Sequence, residues 1–121
     1  MNTLKKLLVV LLLSASAFAH SVTLTWRAPV TGNPPDHYKV YRSLTSGSGY
    51  VLMGIVPSNQ LGFVNGSNPD GTPLVEGQMY CYIATSVAGS TESNPSQPEV
   101  CVTIPITTGV QAPTNFTGVA Q

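Results

Sequence analysis

The chain has 121 residues, five Lys and Arg against five Asp and Glu, no net charge, and charged residues making up only 8% of the total. That balance offers no field for nucleic acid or acidic lipid, and the length suits one domain with a single core. Two cysteines, two histidines and five scattered acids give no cluster on which metal, paired-carboxylate or nucleophilic catalysis is built, so the reading is of a non-enzyme without cofactor.

The first segment is a leader. Lys5 and Lys6 precede the apolar run LLVVLLL, and small residues follow, ending in Ala17-Phe18-Ala19. This is the charged, apolar and A-x-A order of a secretory signal peptide over residues 1–19, with the cut between Ala19 and His20. The run is short for a transmembrane helix and no second apolar stretch follows, so no membrane association is expected once it is removed. No Cys stands at the cut to carry a lipid. The expected location is secreted, extracellular or on the cell surface. The mature part keeps Arg27, Lys39 and Arg42 against Asp36, Asp70, Glu76, Glu92 and Glu99, a net charge of −2.

After residue 19 no 3.6-residue apolar period is sustained, whereas short alternating runs recur between Gly, Pro, Asn and Ser. Val22, Leu24 and Trp26 alternate as a first strand. Tyr38, Val40 and Arg42 mark a second beyond the turn TGNPPD, residues 50–55 a third, and Leu61 with Phe63 a fourth, ahead of the loop NGSNPDGTP. Tyr80, Tyr82 and Ala84 form the inner face of a fifth strand, and Val100, Val102 and Ile104 that of a sixth. Short strands with turns every ten residues or so predict an all-β, two-sheet antiparallel sandwich.

The runs VTLTW, DHYKVYRS, LVEGQMYCYIATSV and SNPSQPEV occur in an order that resembles a fibronectin type III domain, over roughly residues 21–104. The resemblance implies the fibronectin type III / immunoglobulin-like sandwich. It places a tyrosine corner at Leu74, Gly77 and Tyr80, and a core tryptophan at Trp26. The loop NGSNPDGTP is longer than is usual in that family.

Cys81 lies between Tyr80 and Tyr82, and Cys101 between Val100 and Val102, so both are expected to face outward on one sheet. A hairpin centred near Thr91 sets them opposite each other at a separation a disulfide bridges. In an exported protein such a bond forms; the alternative is a pair of surface thiols. His20 and His37 have no ligand partners at metal spacing and are read as solvated. Asp70-Gly71 beside Asn68 is read as a turn rather than a calcium loop. Asn65-Gly66-Ser67 and Asn115-Phe116-Thr117 match the N-glycosylation pattern, which matters only in a glycosylating host. Tyr38, Tyr80 and Tyr82 point inward, leaving Tyr41 and Tyr50 for surface recognition.

The tail APTNFTGVAQ, residues 112–121, resembles that family's first strand, set at the far end of the chain behind a linker at 105–111. Without it, a sandwich of residues 20–104 lacks a strand and leaves an open edge beside Val22, Leu24 and Trp26. In this family the first strand begins about 30 Å from where the last one ends. The seven links from Pro105 to Ala112 span at most about 24 Å.

The sequence therefore predicts an exported structural subunit that donates Ala112, Pro113, Phe116 and Val119 to the edge of the next subunit. That head-to-tail contact builds an extracellular filament with itself as partner. The competing readings are a spacer or adhesion module cut from a larger secreted protein, and a free-standing module that binds an extracellular glycan or protein.

Overall fold

The computed structural model describes residues 8–15, 20–107 and 113–121. Among these described residues eight strands run in the order β1 (Leu8–Ala15), β2 (His20–Arg27), β3 (His37–Ser43), β4 (Val51–Pro57), β5 (Gly62–Asn65), β6 (Met79–Ala88), β7 (Thr91–Glu92) and β8 (Val100–Thr103). One antiparallel sheet has the order β1-β2-β5. The other runs β4-β3-β6, with β7 and β8 both paired to β6. The expected strand of residues 50–55 is β4, starting one residue later, and the two-residue β7 is an element that alternation alone is too short to reveal.

Alternation decides which side chains meet between the sheets. In β2 the buried residues are His20, Val22, Leu24 and Trp26, with Thr23 and Thr25 turned away. From β3 come Tyr38 and Val40, and from β6 Tyr80, Tyr82 and Ala84; Val56, Leu74 and Ile104 close the core. Trp26 and Tyr38 pack edge to face at 5.3 Å between ring centroids, a geometry that suits the aromatic quadrupoles. Gly54 of β4 lies under the Phe63 ring so closely that a Cβ would stand 2.5 Å from it, which is why the strand carries no side chain there.

The β6–β7 hairpin turns at Gly89, whose φ of +61° is costly for other residues. The chain then returns so that β8 pairs with the first half of β6, bringing Cys81 directly opposite Cys101. The two form a disulfide, with Cα atoms 4.0 Å apart. Only Cys101 is exposed. Cys81 is fully buried rather than outward-facing in water. Ser43, its partner in the β3–β6 ladder, is buried too, and the Ser43 hydroxyl lies within hydrogen-bond reach of Thr45 O, at 2.7 Å, and of Ser48 O, which ties the turn after β3. This turn reaches across to Glu99, which accepts from Ser46, from the Gly47 N–H at 3.0 Å and from Tyr50.

Closing a loop of 20 residues stabilises the fold by roughly 3 kcal/mol on the chain-entropy model. Urea unfolding of the reduced and alkylated protein is expected to show that loss, with intact mass reporting the bond before reduction.

Candidate functional site

The edge of β2 is the first place where chemistry specific to this chain gathers. The edge expected to stand open is occupied: β1 pairs with β2 in eight antiparallel steps, from Leu8 opposite Arg27 to Ala15 opposite His20. The run read as the apolar core of a leader thus supplies the missing first strand. It is rich in Val and Leu, and backbone groups along β2 require a partner, so an apolar extended segment of that length meets both needs. On its other side β2 pairs with β5, Val22 opposite Asn65 and Leu24 opposite Phe63. Val22, Leu24 and Trp26 are 0%, 1% and 4% exposed, so a strand added beside them borders the core directly.

The tail does not return to this edge. Pro113 and the residues after it lie outside every strand and are exposed, with Phe116 and Val119 at 88% and 85%. Asn115 takes a positive φ of 55°, which the short Asn side chain tolerates. Ala112 and Ala19 lie outside the described residues.

His20 is buried rather than solvated. Its Nε2 lies 3.1 Å from Glu76 Oε2 and 3.4 Å from the Thr107 hydroxyl, and Thr107 also donates to both Glu76 oxygens. This cluster holds the departing C-terminal segment beside the start of β2. His37 is half-buried in β3.

At the tyrosine corner, the Tyr80 hydroxyl accepts from the Val75 N–H at 3.0 Å and lies 3.4 Å from Asn68 Oδ1. Leu74 is buried, and Gly77 turns with φ of +81° and donates its N–H to Ile104 O at 2.8 Å. Here sequence reasoning missed a polar network. Arg42, on the same parity as Tyr38 and Val40, is carried to the core side of β3, where its guanidinium stacks on the Tyr80 ring at 4.6 Å. It donates to Asn65 Oδ1 and Asn68 Oδ1, each at 3.0 Å, while the Tyr82 hydroxyl donates to the same Asn65 oxygen at 2.7 Å. Burial pushes the Tyr82 hydroxyl pKa well up. The signal available was parity. A charged residue two steps after two core residues is drawn inward with them.

The same network engages the first glycosylation triplet. Asn65 is 4% exposed and its Nδ2 donates to Ser67 O at 2.8 Å, whereas Asn115 stands on the exposed tail. The loop after β5 is a small hairpin, with Ser67 bridged to Pro73 and Gly71 at φ of +86°. Asp70 accepts from the Thr72 N–H and hydroxyl at 3.0 and 2.6 Å, and these bonds hold its carboxyl below the ordinary value.

Tyr41 and Tyr50 are not free recognition rings. Tyr50 is tied to Glu99, and Tyr41 donates to Glu92 at 2.6 Å beside Lys39 at 3.6 Å. Burial, then the bond to Glu92 and its charge, push Tyr41 up to about 12. The ligand-type atoms of Cys81, Glu99 and Cys101 lie within 4.8 Å of one another, but the two sulfurs are joined in the disulfide.

The architecture matches solved structures. A Fn3-like protein from Clostridium thermocellum superposes with a TM-score of 0.59 at 22% identity, over 80% of this chain and 90% of that one. The fibronectin type III domain of human KIAA0970 protein gives 0.58 at 17%, over 93% and 85%. A β-1,2-glucanase from Parabacteroides distasonis gives 0.56 at 19%, over 88% of this chain but 13% of the enzyme. Comparison with family models and with curated proteins gives no match. The chain has a fibronectin type III-like fold, an all-β sandwich of two antiparallel sheets. At these identities the likeness is one of fold.

The Tyr41–Glu92 bond sets a pH dependence. The Tyr41 hydroxyl, as the largest cause, holds the Glu92 carboxyl below its ordinary value of 4.5. A depressed carboxylate contributes stability above the unfolded value and loses it as pH falls through the folded one. Tyr41→Phe is therefore expected to return Glu92 toward 4.5 in a side-chain NMR titration. Its stability cost is expected to be largest above that pH and to shrink on acidification.

Proposed function

We propose that the chain is an exported structural subunit that polymerises head to tail, its residues 112–121 completing the sandwich of a neighbour. The observation that carries this reading is the β1–β2 ladder. The edge of β2 takes an added antiparallel strand along its whole length, and the strand that fills it has the composition of a leader that export removes. With residues 1–19 gone, the backbone of β2 and the flank of Val22, Leu24 and Trp26 need a new partner.

Chain length favours a partner from outside. Thr107 sits beside His20, at the pole where β1 ends. A strand in the place of β1 starts beside Arg27, seven residue rises away, about 23 Å. The six links from Thr107 to Pro113 stretch to about 21 Å at most, too short to cross that distance and reverse. Reaching the edge of another subunit needs no such reversal, and the contact does not close on itself, so its repetition builds a fibre.

The disulfide is compatible with an extracellular setting, as is the fact that no helix among the described residues is long and apolar enough to cross a membrane. Deleting residues 112–121 is expected to abolish filaments of exported protein in electron microscopy, and a synthetic peptide of those residues is expected to raise the thermal stability of the deleted form. Unchanged fibres after the deletion, or no response to the peptide, refute the donation.

A second reading is a self-sufficient Fn3-like module, free-standing or part of a longer secreted protein, and the same ladder favours it when Leu8–Ala15 is retained. N-terminal sequencing of the exported protein separates the two. The filament reading expects His20 as the first residue, and the module reading expects residues 8–15 to persist in a monomer.

A further inference from the structure

Arg42 is a buried cation without an anion. It is 7% exposed, and the oxygens it meets belong to Asn65, Asn68 and the Ser67 carbonyl, at 3.0, 3.0 and 3.5 Å. Among the described residues the ion pairs are His20 with Glu76 and Lys39 with Glu92, so no carboxylate reaches ion-pairing distance of the guanidinium. Removing a charge from water is costly, and neutral dipoles with one ring face offset only part of that cost.

The donors left over have a definite shape. Of the five N–H groups of a guanidinium, Nη1 uses two and Nη2 one. The Nε–H and one Nη2 hydrogen remain, and an arginine presents neighbouring donors of this kind to the two oxygens of a carboxylate. Among the described residues the buried side-chain nitrogens without a partner belong to His20 and Trp26, and none to Arg42.

Arg42 lines two clefts, of about 400 and 350 Å³, which also share Leu44 and Pro69. Val75 and Leu44, each 55% exposed, give the larger cleft apolar walls, while Asn68 and Gln78 line it with amides. Asp70 also lines the larger cleft, its carboxylate kept ionised by the two bonds from Thr72. A concave site with apolar walls and one convergent fork of donors is built for a small ligand with an anionic end.

We propose that this cleft binds a small carboxylate, of the size of a monosaccharide acid or a short-chain fatty acid, with its two oxygens on the free edge of Arg42. Nothing in this depends on whether the chain polymerises.

The test is an NMR titration of the mature protein with butanoate and with glucuronate, against butanol and glucose as neutral analogues. At least one carboxylate is expected to produce saturable shifts at the Arg42 Nε–H and at the Leu44, Val75 and Gln78 amides, and its neutral analogue none. Arg42→Lys keeps the charge but loses the fork, and is expected to weaken binding roughly tenfold. Asn65→Asp sets a carboxylate where the Asn65 oxygen now meets Nη1. This variant gains an ion pair with Arg42 but gives up the Nδ2 bond to Ser67 O; urea unfolding checks that it folds, and it is expected to bind the carboxylate at least tenfold more weakly, which decides the matter if the lysine variant does not fold. Absence of saturable shifts with both acids, equal shifts from the neutral analogues, or unchanged affinity in Asn65→Asp overturns the proposal.

Discussion

The hydrogen-bonded ladder along the outer edge of β2 conditions the rest of the sandwich. β2 carries Val22, Leu24 and Trp26 into the core, and its backbone can be satisfied on one side by β5 for four residue pairs only. The other side needs a full-length partner, which Leu8–Ala15 supplies. A strand in this place pairs with the backbone of Trp26, whose ring packs on Tyr38 of the opposite sheet, so the occupant of the edge bears on both sheets at once.

The sheet opposite is fastened by different means. β6 is its spine, pairing with β3 along seven residues and with β7 and β8 on its other side. The disulfide fixes β8 to it, and the turn at residues 44–50 is pinned to Glu99 by three donors. At the pole beside the tyrosine corner, packing gives way to polar connection. Arg42, Asn65, Asn68, Tyr80 and Tyr82 share acceptors in one network, so the loop after β5 is held to the core by hydrogen bonds rather than apolar burial. That choice leaves a charge in a cleft, which a purely apolar pole does not do.

Much of the fold was legible because two-residue periodicity is a direct consequence of strand geometry. Tyr38 and Val40, Tyr80 and Tyr82, and the facing cysteines follow from it. Less legible was anything that depends on what covers a face. Parity sets Cys81 on the face away from the core, yet it is fully buried; local pattern says nothing of what arrives on a face from elsewhere in the chain. His20 has no partner near it in sequence, and its contact with Glu76 spans 56 residues. Tyr41 and Tyr50 were placed on the surface by exclusion, and long-range carboxylates claim both hydroxyls. Asn65 was noticed only as a glycosylation triplet, because the acceptor role of its amide exists only once Arg42 and Tyr82 converge on it.

The sequence by itself determined the class of structure, the strands and their inward faces, and the register that joins Cys81 to Cys101, since all of these are set by local geometry and short connections. Tertiary structure alone decided which segment lies along the edge of β2 and how a buried arginine is accommodated. Both are settled by competition among distant groups for the same unsatisfied donors and acceptors, and such competition has no periodicity to read.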